Sequence, residues 1–248
     1  MSDSIIQVSG VSKSYGGVVA NENVSMTVER GGITGLIGPN GSGKTTLFNS
    51  IVGFHPIDGG SIRFEGQEIS KLKVPAIARL GLLRTFQQTR IFGQMNCVEN
   101  MLISVPHRKM GFWEAFTRNT AAERERAEHL LDFVGLYEKR LLRSGSLSFG
   151  QQKLLEFAMA LMNEPTVLLL DEPTAGINPT LINGLIDRLK RANSEFGITL
   201  LVIEHNMRVI MNMADKIYCL AHGKMLASGS PSEIQNDQRV IDAYLGAH

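Results

Sequence analysis

Between Gly38 and Thr46 the chain reads GPNGSGKTT, a Gly-x-x-x-x-Gly-Lys-Thr spacing suited to holding phosphate. Gly38, Gly41 and Gly43 let the backbone turn sharply, so that successive N–H groups converge on one anion. Lys44 carries a point charge that reaches the β- and γ-phosphates, and Thr45 offers a hydroxyl to Mg²⁺. A helix beginning at this point adds the positive end of its dipole. Ile33–Ile37 (ITGLI) before the loop is an apolar run of strand type, and Thr45–Val52 after it reads as a helix start. Pro39, Asn40, Ser42 and Thr46 complete the candidate phosphate-binding set.

A second group lies at Val167–Pro179, VLLLDEPTAGINP. A buried strand ending in Asp171 places a carboxylate at the carboxyl end of a parallel sheet, where ligands sit. There Asp171 can hold Mg²⁺ through water. Glu172 follows at once and points elsewhere, so it either polarises a water for attack on a γ-phosphate or forms a surface ion pair. The company of Asp171 and the phosphate loop favours the water. A third group is Leu147–Gln152, LSFGQQ, followed by the helical run KLLEFAMALM. Ser148 and the Gly150 amide, with Gln151 next in line, could form an anion site at that helix's N-terminus. Standing alone, this is only a capped helix.

The elements that must position these groups follow from the pattern of apolar residues. Ile5–Val11 and Val24–Val28 alternate as half-buried strands do. Asp58-Gly59-Gly60 reads as a turn before a strand over Ser61–Glu65, and Gly66 closes another. From Val98 to Gln152 the helical period dominates, with Ala127, Leu130, Leu131, Val134 and Tyr137 on one face. The stretch Val105–Asn119 is irregular. Val167–Leu170 and Ile198–Ile203 are continuous apolar runs, as strands buried on both faces are. Leu181–Ala192 is helical, Asp215–Leu220 and Lys224–Ser228 read as late strands, and Pro231–His248 as one or two short helices. The expected fold is α/β: a mostly parallel central sheet, an N-terminal antiparallel β subdomain and a helical subdomain. One domain is expected, with residues 1–95 and 160–230 as core and β subdomain, 96–159 as the helical part and 231–248 as a tail.

Composition excludes several classes. The 248 residues are 43% hydrophobic and 20% charged with a net charge of +1, so no general nucleic-acid-binding surface is expected. Cys97 and Cys219 show no metal spacing and read as free thiols of a reducing compartment. The opening MSDSIIQVSG has no basic region followed by an apolar stretch, so no signal peptide is expected. No apolar run approaches the roughly 20 residues that span a bilayer. Work at a membrane would need another chain to do the spanning.

Taken together, these motifs resemble the nucleotide-binding subunits of ATP-binding-cassette (ABC) transporters over almost the whole length. GPNGSGKTT matches that family's Walker A, VLLLDE its Walker B and LSFGQQ its signature loop. The resemblance implies further roles. Tyr15 stacks on adenine. Gln87, in RTFQQTRIF, reaches the metal and couples the site to a membrane partner. Ala175–Asn178 forms the D-loop, and His205, in VIEHNM, contacts the γ-phosphate. Phe149 replaces the first glycine of the usual LSGGQ, and Asn178 the commoner aspartate of the D-loop. Both departures, the RTFQ start, the insertion at Val105–Asn119 and the end near RVIDAYLG are similar to the branched-chain amino-acid uptake branch.

The implied activity is hydrolysis of ATP with Mg²⁺. The implied assembly is a sandwich dimer in which Ser148 and Gly150 of one cassette close on ATP held at Lys44 and Thr45 of the other. Lys44, Gln87, Glu172 and His205 are the candidate catalytic set; Thr45, Gln87 and Asp171 are the candidate metal set. Expected partners are membrane permease subunits, a second cassette (identical or related) and, indirectly, an external substrate-binding protein. The expected place is the cytoplasmic face of the cell membrane. Translation-type relatives carry two cassettes and repair-type relatives long coiled coils, and neither is present. Urea, short amides or other hydrophobic amino acids stay open as cargo, and export is disfavoured only by the subfamily resemblance.

Overall fold

The computed structural model describes residues 3–85, 91–105 and 120–245. They form two compact units: Met1–Arg84, Thr166–Pro173 and Leu189–His248 in one, Thr85–Pro165 and Thr174–Arg188 in the other. These boundaries differ from the sequence division chiefly in assigning Thr174–Arg188 to the helical unit.

The first unit holds two sheets. In the smaller, β1 (Ser4–Tyr15) and β2 (Val18–Glu29) form a hairpin, and β1 also pairs antiparallel with β4 (Gly59–Phe64), which is followed by the short β5 (Gln67–Glu68). The strand order is β2-β1-β4-β5. The expected turn at Gly59-Gly60 is instead the start of β4. Gly60 has φ +85°, and a Cβ there would lie 2.4 Å from the Gly10 carbonyl oxygen. The glycine serves a close backbone approach at a strand irregularity, not a reversal.

The larger sheet has the order β10-β9-β3-β8-β7-β6. Its strands are β3 (Ile33–Ile37), β6 (Leu82–Arg84), β7 (Val167–Asp171), β8 (Thr199–Ile203), β9 (Lys216–Ala221) and β10 (Lys224–Gly229). Every neighbouring pair is parallel except β9–β10. Every residue of β3, β7 and β8 is buried, which is why these strands read as unbroken apolar runs. Leu36 of β3 and Asp171 of β7 both stand opposite Ile203 of β8. The chain therefore leaves all three strands at one edge: into the phosphate loop, into Glu172 and into Glu204-His205.

Helix α1 (Lys44–Ile51) lays Leu47, Phe48 and Ile51 into a core with Ile6, Val24, Ile62 and Phe64. The helices α2 (Val74–Arg79), α7 (Met207–Met213), α8 (Pro231–Asn236) and α9 (Gln238–Leu245) belong to the same unit. The second unit packs α3 (Cys97–Ile103), α4 (Ala121–Phe133) and α5 (Phe149–Leu161) together, and α6 (Pro179–Phe196) begins in it. Capping boxes start α3, α4 and α5 at Asn96, Thr120 and Ser148. The buried face of α4 is Ala127, Leu130 and Leu131, but it does not run on to Tyr137 as expected. The helix stops at Phe133, Gly135 (φ +74°) turns the chain, and Leu136 takes the buried place while Tyr137 is half-buried in a 3₁₀ turn. Among the described residues no helix is long and apolar enough to cross a membrane.

Candidate active site

The phosphate loop is shaped by what surrounds it. A Cβ on Gly38 would lie 2.1 Å from the Leu220 carbonyl oxygen, and one on Gly43 would lie 2.2 Å from that of Ala20. No larger residue fits at either end. The Gly43 carbonyl accepts a bond from the buried Asn21 amide at 3.2 Å, and the Ser42 carbonyl accepts from the Gly223 N–H at 3.1 Å. Helix α1 starts on Gly43 with no side-chain cap, unlike α3, α4 and α5. Its first-turn N–H groups are thus left to an anion rather than to a neighbouring side chain. Thr45 is exposed on that turn.

Lys44 is buried, and its ammonium donates to the Gly38 and Pro39 carbonyls at 2.8 and 2.9 Å and to Ser42 Oγ at 3.3 Å. Burial lowers its pKa below the ordinary lysine value, while the nearby charges of Glu172 and Asp171 pull the other way. The cation and the two carboxylates thus share one electrostatic site.

Asp171 ends β7 with its side chain 1% exposed. One oxygen accepts from Arg84 Nη2 at 2.5 Å, while the other, Oδ1, is buried with no hydrogen-bond partner among the described residues. Arg84 also donates to Asn49 of α1 and lies over the Phe48 ring, its guanidinium carbon 5.8 Å from the centroid. In the sequence this arginine is only the first residue of the RTFQ run. The signal that exposes it is register: Arg84 of β6 pairs with Leu169 of β7, two residues before Asp171. Removing one partner of a buried pair strands the other's charge. Arg84→Met is expected to destabilise the fold by about 3 kcal/mol, read as a lower urea midpoint at unchanged slope.

Glu172 sits in the left-handed region at φ +50°, and its N–H donates to the Ile203 carbonyl at 3.0 Å. Its Oε1 lies 2.6 Å from His205 Nε2, within ion-pair distance of the imidazole. The backbone turn aims Glu172 away from Asp171, as two carboxylates with separate tasks require. Tyr15 ends β1 half-exposed, edge-on to His55 at 5.5 Å and 5.4 Å from Lys13 Nζ, which pairs with Asp58.

In the helical unit, Ser148 Oγ accepts from the Gln151 N–H at 3.4 Å and Gln151 Oε1 accepts from the Ser148 N–H at 3.1 Å. Gln151 therefore acts first as part of the cap on α5, and the Gly150 amide lies in the first turn. Phe149 is half-exposed with its ring against Gly176, where a Cβ would lie 2.8 Å from Phe149 Cε1. Asn178 Oδ1 accepts from the Thr180 N–H at 3.1 Å and from its hydroxyl at 2.9 Å. The asparagine keeps the capping bond an aspartate would make and omits the charge. Gln87 lies outside the described residues, as does most of the Val105–Asn119 stretch.

The structure thus brings Lys44, Asp171, Glu172 and His205 to one edge of one sheet. The family described as "ABC transporter" matches residues 21–175. The chain belongs to the ABC transporter family. A second family, described as "Branched-chain amino acid ATP-binding cassette transporter", matches residues 224–248. The chain is 41% identical over 254 residues to the high-affinity branched-chain amino acid transport ATP-binding protein BraF of Pseudomonas aeruginosa, covering 99% of each. It is 36% identical to LivG of Escherichia coli K12, again over 99% of each chain. Its structure is similar to the ADP conformation of MJ1267, an ATP-binding cassette of an ABC transporter: TM-score 0.89, 32% identity, 98% of this chain and 99% of that one. This ABC cassette binds ATP and is an ATPase, and its fold is the expected α/β architecture.

Proposed function

We propose that this ABC ATPase is the motor subunit of an importer for branched-chain or other hydrophobic amino acids. The observation that carries the reading is similarity over 99% of the length to a branched-chain amino acid cassette, extending into the tail matched at residues 224–248. The spanning is assigned to partner permease subunits, with this chain peripheral at the cytoplasmic face and an external binding protein supplying the amino acid.

Within the cassette, Lys44 and the loop N–H groups hold the phosphates, and Tyr15 stacks on adenine. Glu172 accepts a proton from the attacking water, and His205 holds Glu172 in place and faces the γ-phosphate. The residues fit Mg²⁺: Asp171 Oδ1 is a buried acceptor without a partner among the described residues, and Thr45 supplies a hydroxyl. Asp171, Thr45 and Gln87 would hold the ion, which when bound neutralises charge on the phosphate oxygens. Ser148 and Gly150 of a second cassette add donors only when the dimer closes, so ATP favours the closed state and hydrolysis releases it.

The test is reconstitution with candidate permease subunits from the same organism. Leucine with its binding protein should stimulate ATP hydrolysis and enter vesicles only when ATP is supplied. Stimulation by urea or an amide instead would replace the cargo, and hydrolysis indifferent to any permease would remove the transport role.

A further inference from the structure

We propose that Tyr244, on the last described helix, is a positioning residue for the phosphate loop and sets its affinity for nucleoside triphosphate. The inference rests on that loop being the nucleotide site. The Gly38 N–H donates to Tyr244 Oη at 2.8 Å, while the Gly38 carbonyl accepts the Lys44 ammonium at 2.8 Å. Gly38 therefore stands between the tail's phenol and the phosphate-binding cation. The β3–β9 ladder ends at the Ile37–Cys219 pair, and the first N–H after β3 is taken by the tail.

The phenol is aimed by helix geometry. Val240 is buried and lies four residues before Tyr244, on the same face of α9. With Val240 seated, the hydroxyl points at the loop. Burial pushes the phenol's pKa up to about 12, so the acceptor is a neutral hydroxyl throughout the working range. Beside this bond, Pro39, Asn40, Gly41 and Ser42 share a cavity of about 380 Å³ with Asp242 and Ala243 of the tail.

The loop is thus tethered at its start by Tyr244, near its end through Ser42 by Gly223 and at its end through Gly43 by Asn21. A loop already ordered needs no ordering when the ligand arrives, and its affinity is higher for that reason. Freeing the Gly38 N–H removes the tether at the end that also carries the Lys44 contact.

The test is Tyr244→Phe in the full chain, which keeps the ring and deletes one oxygen. With a fluorescent ATP analogue, Kd should rise about tenfold, because the binding-competent loop, its buried Gly38 donor left unsatisfied, falls to about a tenth of the unliganded population. KM for ATP should rise with it while kcat stays within about twofold, and amide exchange should quicken in the peptide covering the loop. A folded variant whose Kd and KM stay within about twofold of wild type overturns the proposal, as does a fall in kcat at unchanged KM. Failure of the wild-type chain itself to bind the analogue would instead overturn the nucleotide-site reading.

Discussion

Glu172→Gln should bind ATP as tightly as the wild type, turn it over about 10²- to 10⁴-fold more slowly and hold two cassettes together while ATP lasts. The substitution removes the carboxylate's charge and basicity and little else. Glutamine has nearly the same shape, its Oε1 can keep the 2.6 Å approach to His205 Nε2, and the backbone bond from residue 172 to Ile203 is untouched. What is lost is basicity, because an amide cannot take a proton from water at neutral pH. The left-handed backbone at Glu172 is set by the fold rather than by the carboxylate, so the side chain keeps its aim. Binding depends on Lys44 and the loop, whose hydrogen bonds the substitution leaves in place, removing only one of the negative charges that act on the ammonium. Single-turnover hydrolysis, nucleotide affinity and elution volume with and without Mg²⁺-ATP separate these quantities. A mutant that hydrolyses ATP at the wild-type rate would remove Glu172 from the role of base.

The parts of this site that were legible in the sequence are those whose chemistry is local. The phosphate loop needs glycine at particular places, and Gly38 and Gly43 both face a carbonyl that a Cβ would strike. β3, β7 and β8 were legible because burial on both faces demands an unbroken apolar run. The parts that were hidden depend on register and on distant chain. Arg84 meets Asp171 only because β6 lies beside β7, and nothing within RTFQ says so. Tyr244 reaches Gly38 across 206 positions of sequence, from a tail that read merely as short helices. The Gly59-Gly60 pair misled for a related reason: glycine marks both a reversal and a close approach of two strands, and only the partner strand distinguishes them. The extent of α4 was overread because the apolar spacing continued past Gly135, where the helix had already ended.

Lys44→Ala should weaken ATP binding by about two to three orders of magnitude, since a hydrogen bond from a charged donor contributes about 1.5–3 kcal/mol and one or two of the ammonium's three donors turn from the loop to the phosphates. The loop tolerates the loss, because the carbonyls of Gly38 and Pro39 can take water in place of the ammonium, and the tethers at Ser42 and Gly43 involve other residues. A pH titration separates this charge from mere shape. Burial lowers the Lys44 pKa below 10.5, so the folded chain releases this proton before the unfolded chain does. Between the lowered value and 10.5 the unfolded state holds more protons, and this group's contribution makes the fold more stable as pH rises. Nucleotide affinity moves the opposite way, since the phosphates require the ammonium and not the amine. In the wild type, affinity should therefore begin to fall with rising pH below the ordinary lysine range while the fold holds. In Lys44→Ala the weak residual affinity should lack that component. Isothermal titration with ATP across the alkaline range reads both, and a Lys44→Ala variant that binds ATP like the wild type would refute the phosphate-binding role of the loop lysine.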